Sequence, residues 1–293
     1  MQLFLFQDAF DFNAFGPSTG VYKPVGFYFS LGNIPAVYRS KVDLIHLVYM
    51  ILENDFKPTE EEEIKDFDKT KEALKPLLDE LKDLKLNGID IDGKKVPVCL
   101  LLLLGDSLGQ NTIGGYVKNF SSAEFSCRFC PQSKTDFKSK PYETKPLRTV
   151  QEYDSYSIIA KRKWSKLRKD GLKAQKKAKE RAKQLRLHRI ANRSSAISKR
   201  NLKGLMNKTA FKRMCAVSYR GVKYRPSALK SADINFHVVG AQPPCIAHDL
   251  HEGIVRVIVA KVLKYLIETK GWFDLPRLNS RIDKFQCKGL DAR

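Results

Sequence analysis

Residues 94–116 read KKVPVCLLLLLGDSLGQNTIGGY. A wholly apolar run, Val98 to Leu104, leads straight into Gly105-Asp106, and the chain then turns polar and glycine-rich. So short a run cannot cross a bilayer, which needs about 20 residues. An apolar run of this length without alternation suits a strand buried on both faces of a sheet. An acid at the C-terminal end of such a strand sits at the sheet's edge, partly desolvated. A lone carboxylate is costly to bury, so Asp106 calls for a metal, an arginine or a proton. The plainer reading is a turn aspartate that caps the following loop.

On the N-terminal side, residues 2–6 (QLFLF) and 21–31 (VYKPVGFYFSL) read as strands rich in aromatic and β-branched residues, joined by a Phe-Gly-Pro-Ser turn. Asp8 follows the first of them. Residues 41–52 suit a third strand, although their length also allows a helix. Glu60 to Glu63 read as a solvated helix start or loop. Leu74, Leu77, Leu78, Leu81 and Leu84 fall on one face of a helix from Lys71 to Lys85. Asn87-Gly88 ends that helix, and Asp92-Gly93 turns the chain into the central strand. Far downstream, Pro243-Pro244-Cys245 leads into a helical stripe of Leu250, Ile254, Val257, Ile258 and Tyr265, closed by Gly271.

The net charge of +21 implies a polyanionic partner, most simply nucleic acid. The excess is concentrated: residues 161–200 hold 17 Lys and Arg against only Asp170 and Glu180. This segment reads as one or two long helices with almost no apolar stripe, hence solvated, partner-dependent or only partly ordered. Lys161, Arg162, Lys163, Lys166, Arg168, Lys169, Lys176, Lys177, Arg181 and Arg186 are its candidates for phosphate-backbone contacts without sequence choice. A solvated charge run that doubles as a nuclear import signal is the alternative. Six cysteines in a chain of this length, two of them as Cys127-Arg-Phe-Cys130, fit a reducing compartment with a metal site better than a disulfide scaffold. That pair has the spacing of half a tetrahedral zinc site, and His248 and His251 are candidates for the other half. Two buried or free thiols remain the alternative.

Strand, strand, strand, amphipathic helix, buried strand is the opening order of an RNase H-like domain, where the first strand and the strand after the first helix lie side by side. Four landmarks extend this likeness in order: Asp8-Ala-Phe10 with Asn13 and Gly16; Asp106 through Gly114-Gly115-Tyr116; Cys127 and Cys130; and His248-Asp249-Leu250-His251-Glu252-Gly253. Together they resemble the catalytic core of DDE/D-type transposases of the CACTA (En/Spm) kind and their animal relatives, over about residues 3–270.

The resemblance implies an α/β fold, an RNase H-like mixed sheet with helices, interrupted by a CxxC-containing and basic helical insertion. Residues 1–117 would form the first part of the core. Residues 118–160 would hold the CxxC segment and a linker, 161–205 a basic helical or disordered insertion, and 206–293 the C-terminal helical part. Asp8 and Asp106 would bind Mg2+ or Mn2+ for two-metal phosphoryl transfer on DNA in the nucleus, with no membrane and with self-association left open. Zn2+ would belong to the CxxC.

Two departures bear on activity. The basic insertion has no match in the family pattern. The family's third acid is expected beyond Arg293 and its DNA-binding region before Asp8, so the chain is expected to be a fragment or degraded copy. Glu252 is the local candidate for the third acid, although the matching family segment precedes the catalytic glutamate; helix capping by His248, Asp249 and Glu252 is the alternative. The expected function is a transposase-derived DNA-binding protein with ancestral metal-dependent strand cleavage and transfer, or else a non-enzymatic DNA-binding remnant or domesticated domain.

Overall fold

The computed structural model describes residues 1–10, 23–39, 41–119, 122–140, 143, 145–191, 206–230, 234–245 and 255–284, with the backbone alone at 185–191 and 283. The chain forms two units, Met1–Pro243 and Pro244–Arg293. In order, the first holds β1 (Gln2–Ala9), β2 (Pro24–Leu31), α1 (Ala36–Arg39), β3 (His46–Leu52), α2 (Glu60–Ile64), α3 (Lys69–Ala73) and α4 (Lys75–Leu86). The hairpin β4 (Ile89–Ile91) and β5 (Lys94–Val96) follows, then β6 (Cys99–Gly105), α5 (Ser107–Gly114), α6 (Lys134–Ser139), α7 (Val150–Ala191), α8 (Lys208–Cys215), β7 (Ser218–Tyr219) and β8 (Val222–Lys223).

A four-stranded mixed sheet, ordered β3-β2-β1-β6, makes this an α/β unit. β1 pairs antiparallel with β2 and parallel with β6, while β2 pairs antiparallel with β3. A parallel pair needs a long crossover. The chain between β3 and β6 supplies it, in α2 to α4 and the β4–β5 hairpin, whose turn is the Asp92-Gly93 pair with both φ positive. On one sheet face Leu3, Leu5, Val25, Phe27, Leu100 and Leu103 are buried under Leu74, Leu77, Leu78 and Leu81. The leucine face is as expected, but the helix is not continuous from Lys71. Pro76 lacks an N–H and its ring would strike the carbonyl four residues earlier. The chain accordingly breaks at Leu74 between α3 and α4.

Two other expectations change. β6 is not fully buried on both faces: Leu103 is fully buried and Leu102 and Leu104 are half-buried, whereas Leu101, at the register shift against β1, is 42% exposed. Phe6, Leu47 and Met50 of the neighbouring strands are exposed as well. The acidic run is α2, capped by Thr59 with Glu62 reaching back to the Thr59 N–H, but it is not wholly solvated. Glu63 is 1% exposed and ion-paired with Arg225.

A second core gathers Ile64, Ala160, Trp164, Met206, Met214, Val217 and Tyr224. Trp164 of α7 stacks on Tyr224 with ring centroids 5.2 Å apart. α7 begins at Val150, so one continuous helix runs through residues 160 and 161, where a domain boundary was expected. Far from lacking contacts, its inner side carries buried Tyr153, Ser157, Ala160, Trp164, Gly171 and Gln175 at helical spacing. Tyr153 is a keystone: its hydroxyl donates to Gly114 O and accepts from Ser227 N, each at 2.8 Å.

The second unit contains α9 (Arg256–Lys264), a wide turn over Tyr265–Thr269, Gly271 at positive φ, and α10 (Leu275–Asp283), capped by Asp274. Val257, Ile258 and Tyr265 of the expected stripe are on exposed positions of this helical segment. Leu250 and Ile254 lie outside the described residues.

Candidate functional site

Asp8 is the penultimate residue of β1, inside the strand rather than after it, and Asp106 directly follows β6. The parallel register pairs Phe6 with Leu104 and Gln7 with Gly105, so the two aspartates come next on neighbouring strands. Adjacent strands lie about 4.8 Å apart. Asp8 is exposed and Asp106 half-buried. Gly105 makes the approach feasible. Its φ is 150°, and a Cβ there would lie 2.5 Å from Gln7 O. At Gly109 a Cβ would meet only side-chain atoms, Gln7 Oε1 at 1.9 Å first, so it is Gly105, facing the backbone of Gln7, whose missing side chain the close approach requires.

The carboxylate of Asp106 has a structural task. Its Oδ1 accepts the Gly109 N–H at 2.5 Å and caps α5. That is the capping role weighed beside metal binding. Two aspartates at adjacent strand positions suit a divalent cation, which takes one or two carboxylates alongside waters and phosphate oxygens. Among the described residues, however, no group of three or more His, Cys, Asp or Glu converges to hold a metal ion. Glu252, His248 and His251 lie outside the described residues, as do Asn13 and Gly16.

In the CxxC loop the Cys127 and Cys130 sulfurs are 3.6 Å apart. Two thiolates on one tetrahedral zinc with bonds of about 2.3 Å would stand about 3.8 Å apart, so the pair fits half a site. Burial pushes the Cys130 thiol up, and the neighbouring Cys127 adds to the effect. Arg148 Nη2 donates to Cys127 O at 2.9 Å and holds the loop from behind.

Of the two residues between the cysteines, Arg128 is one that sequence reasoning passed over. Arg128 is 6% exposed. Its Nη1 donates to Ser107 Oγ at 3.0 Å, Nη2 to Pro243 O at 3.3 Å, and Nε to Gln242 O at 3.5 Å. Gln110, also buried, donates to Leu103 O at 3.1 Å and Pro243 O at 2.9 Å. The CxxC loop, the Asp106 corner and residues 242–243 are thus clamped together by side chains. The available signal was a conspicuous one: Arg128 sits inside the CxxC, and Gln110 four residues after the cap.

The basic candidates on α7 divide by face. Lys161 pairs with Asp66 and lies over the Trp164 ring, so it belongs to the anchored side. Arg168 is half-buried over Trp164, and Lys163 lies over Tyr219 with its centroid 4.5 Å away. Arg162, Lys166, Lys169, Lys176, Lys177 and Arg181 are exposed, and so is Lys173, which the sequence reading left out. The side chain of Arg186 lies outside the described residues. Arg162, Lys166, Lys169, Lys173 and Lys176 recur at alternating steps of four and three, which makes one outward row along about 21 Å of helix.

No family model matches this chain, and no curated protein does. Among the described residues no helix is long and apolar enough to cross a membrane.

Proposed function

We propose that the protein binds DNA through its phosphate backbone, without catalysis, as a domain descended from an RNase H-like transposase core. The outward row Arg162, Lys166, Lys169, Lys173 and Lys176 carries this reading. A surface row of cations on a helix anchored by Trp164 presents its charges in fixed register, with less ordering entropy to lose than a free charge run. Duplex DNA offers a phosphate charge about every 1.7 Å of its axis, so such a row meets phosphates along its whole length. Contacts of this kind carry no base information, and binding is indifferent to sequence. A DNA partner also fits a nuclear location.

Descent from the transposase core is supported by the strand order β3-β2-β1-β6 and the parallel β1–β6 pair. A second reading, ancestral phosphoryl transfer, rests on the adjacent register of Asp8 and Asp106. These residues would hold Mg2+ or Mn2+, which when bound stabilises charge on phosphoryl oxygens. Cys127 and Cys130 would hold Zn2+ in a structural role beside the same corner.

The test is a salt series of fluorescence anisotropy on a random-sequence duplex. Each neutralised phosphate contributes about 0.9 to the log–log salt slope, so replacing the five row residues by Gln flattens it by about 4.5. An unchanged slope sinks the reading. Metal-dependent DNA cleavage lost in Asp8→Asn and Asp106→Asn alike would favour the second.

A further inference from the structure

A cavity of about 240 Å³ lies at the C-terminal end of α5, with Ile113 and Gly115 in its wall. Asp106 caps the opposite end, about 12 Å away along the helix axis. The pocket is separate from that corner and from the outward row of α7. Its lining contains Lys118, Lys223, Arg225, Glu63 and Asp68. Local pairing brings the lysines together: Tyr116 bridges Val222, Val117 N donates to Gly221 O, and Lys223 N to Gly115 O.

The charges in this pocket do not cancel. Glu63 pairs with Arg225 Nη1, and Asp68 Oδ1 caps α3 by accepting the Lys71 N–H at 3.1 Å. Among the described residues the ammonium groups of Lys118 and Lys223 have no ion pair and no hydrogen bond. Arg225 Nε and Nη2 are buried without a hydrogen-bond acceptor, Nη2 having only an ion pair with Asp66 Oδ1 at 3.9 Å, and Glu63 Oε1 is buried without a donor. Desolvation lowers the pKa of both lysines, that of Lys118 to about 8, and for Lys118 the nearby Lys223 charge is the next cause. Lys118 is exposed and Lys223 half-buried, so the cost of this arrangement falls on the buried Arg225 donors, which something anionic held beside the two ammonium groups would complete.

The geometry points to a binding site for a phosphate group, inorganic or carried as a monoester. Lys118 and Lys223 bind its oxygens as point charges, and Arg225 adds its idle N–H donors. Glu63 Oε1 accepts the proton of a P–OH or of a neighbouring hydroxyl. The volume corresponds to about eight waters, room for one phosphoryl group with a small attachment and too little for duplex DNA. The site therefore stands or falls independently of DNA binding on α7.

Isothermal titration with inorganic phosphate, deoxyadenosine 5′-monophosphate and unphosphorylated deoxyadenosine tests it. One or both phosphate-bearing ligands bind the wild type, and deoxyadenosine does not. Equal affinity for the two assigns the site to free phosphate; tighter nucleotide binding assigns it to the monoester. Lys118→Gln and Lys223→Gln each weaken binding about tenfold or more, as loss of a charge-assisted contact does. Lys118→Arg with Lys223→Arg retains it. Because the Gln variants remove unpaired charges, they melt no lower than wild type, and phosphate raises the melting temperature of wild type only. No binding of either phosphate ligand to wild type, or equal binding by the double Gln variant, overturns the assignment.

Discussion

Arg128 donates a hydrogen bond to Ser107 Oγ at 3.0 Å, and so the CxxC loop is tied to the residue that follows Asp106. The guanidinium also reaches the carbonyls of Gln242 and Pro243. Only a planar fork can serve three acceptors in these directions. Arg128→Met strands buried acceptors and is expected to cost about 2–4 kcal/mol, with little rescue by Arg128→Lys. Urea denaturation measures it; a change within about 0.5 kcal/mol would mean that the clamp is incidental.

Asp106 gives a cleaner separation of roles. As an N-cap it can be replaced by Ser, which keeps an oxygen for the Gly109 N–H. Asp106→Ala should cost about 0.5–2 kcal/mol while Asp106→Ser stays near wild type. If Mg2+ raises the wild-type melting temperature and both variants lose that effect, the carboxylate serves a cation as well. Equal destabilisation by Ser and Ala would refute the capping role.

Trp164 decides whether α7 is part of the fold. It is 1% exposed and stacked on Tyr224. Trp164→Ala should therefore cost about 3–5 kcal/mol. Replacing Lys176, Lys177 and Arg181 by Gln should leave the melting temperature alone and weaken DNA binding at low salt. A Trp164→Ala protein as stable as wild type would return the whole helix to the status of a solvated insertion.

The pH dependence of stability follows from Lys118, whose folded pKa is lowered to about 8 by desolvation and then by Lys223; Glu53 pulls it up and Lys57 pushes it down. In the unfolded chain a lysine titrates near 10.4. Between these values the unfolded state binds more protons, so this group makes stability rise with pH through that window and penalises the fold below it. The wild type should gain stability from pH 8 to 10 relative to Lys118→Gln. Parallel curves for the two proteins would remove Lys118 from the account.

Zinc in the CxxC is open to a direct assay. Protein purified without chelator should carry about one zinc per chain, absent from Cys127→Ser and Cys130→Ser. A chelator should lower the wild-type melting temperature and leave the variants unchanged. Metal content that is the same in all three proteins would make the cysteines plain thiols.

Much of the first unit could be read locally. The Val98–Leu104 run gives β6 (Cys99–Gly105), the leucine face is the inner side of α4, and Asp92-Gly93 is a turn, although it joins β4 to β5 rather than leading straight into β6. Periodicity and turn chemistry involve only near neighbours, so one sequence suffices for them. The parallel partnership of β1 and β6 came only through resemblance to a family, because spacing alone does not choose a strand's neighbours.

Other features depended on residues that meet only when the chain is folded. The inner row of α7 includes Ser157, Gly171 and Gln175, so no apolar period announces it; Met206 and Met214 from the far side make it a core. Glu63 belongs to an acidic run that looks solvated, yet it is buried by its pairing with Arg225, 162 residues away. Lys118 and Lys223 are unremarkable apart and conspicuous together. The local pattern determined which segments become strands and helices, because that choice depends on backbone propensity and side-chain period. Which polar groups lose water, and which partner each then finds, was decided by tertiary packing, because desolvation is a property of an enclosure and not of a residue.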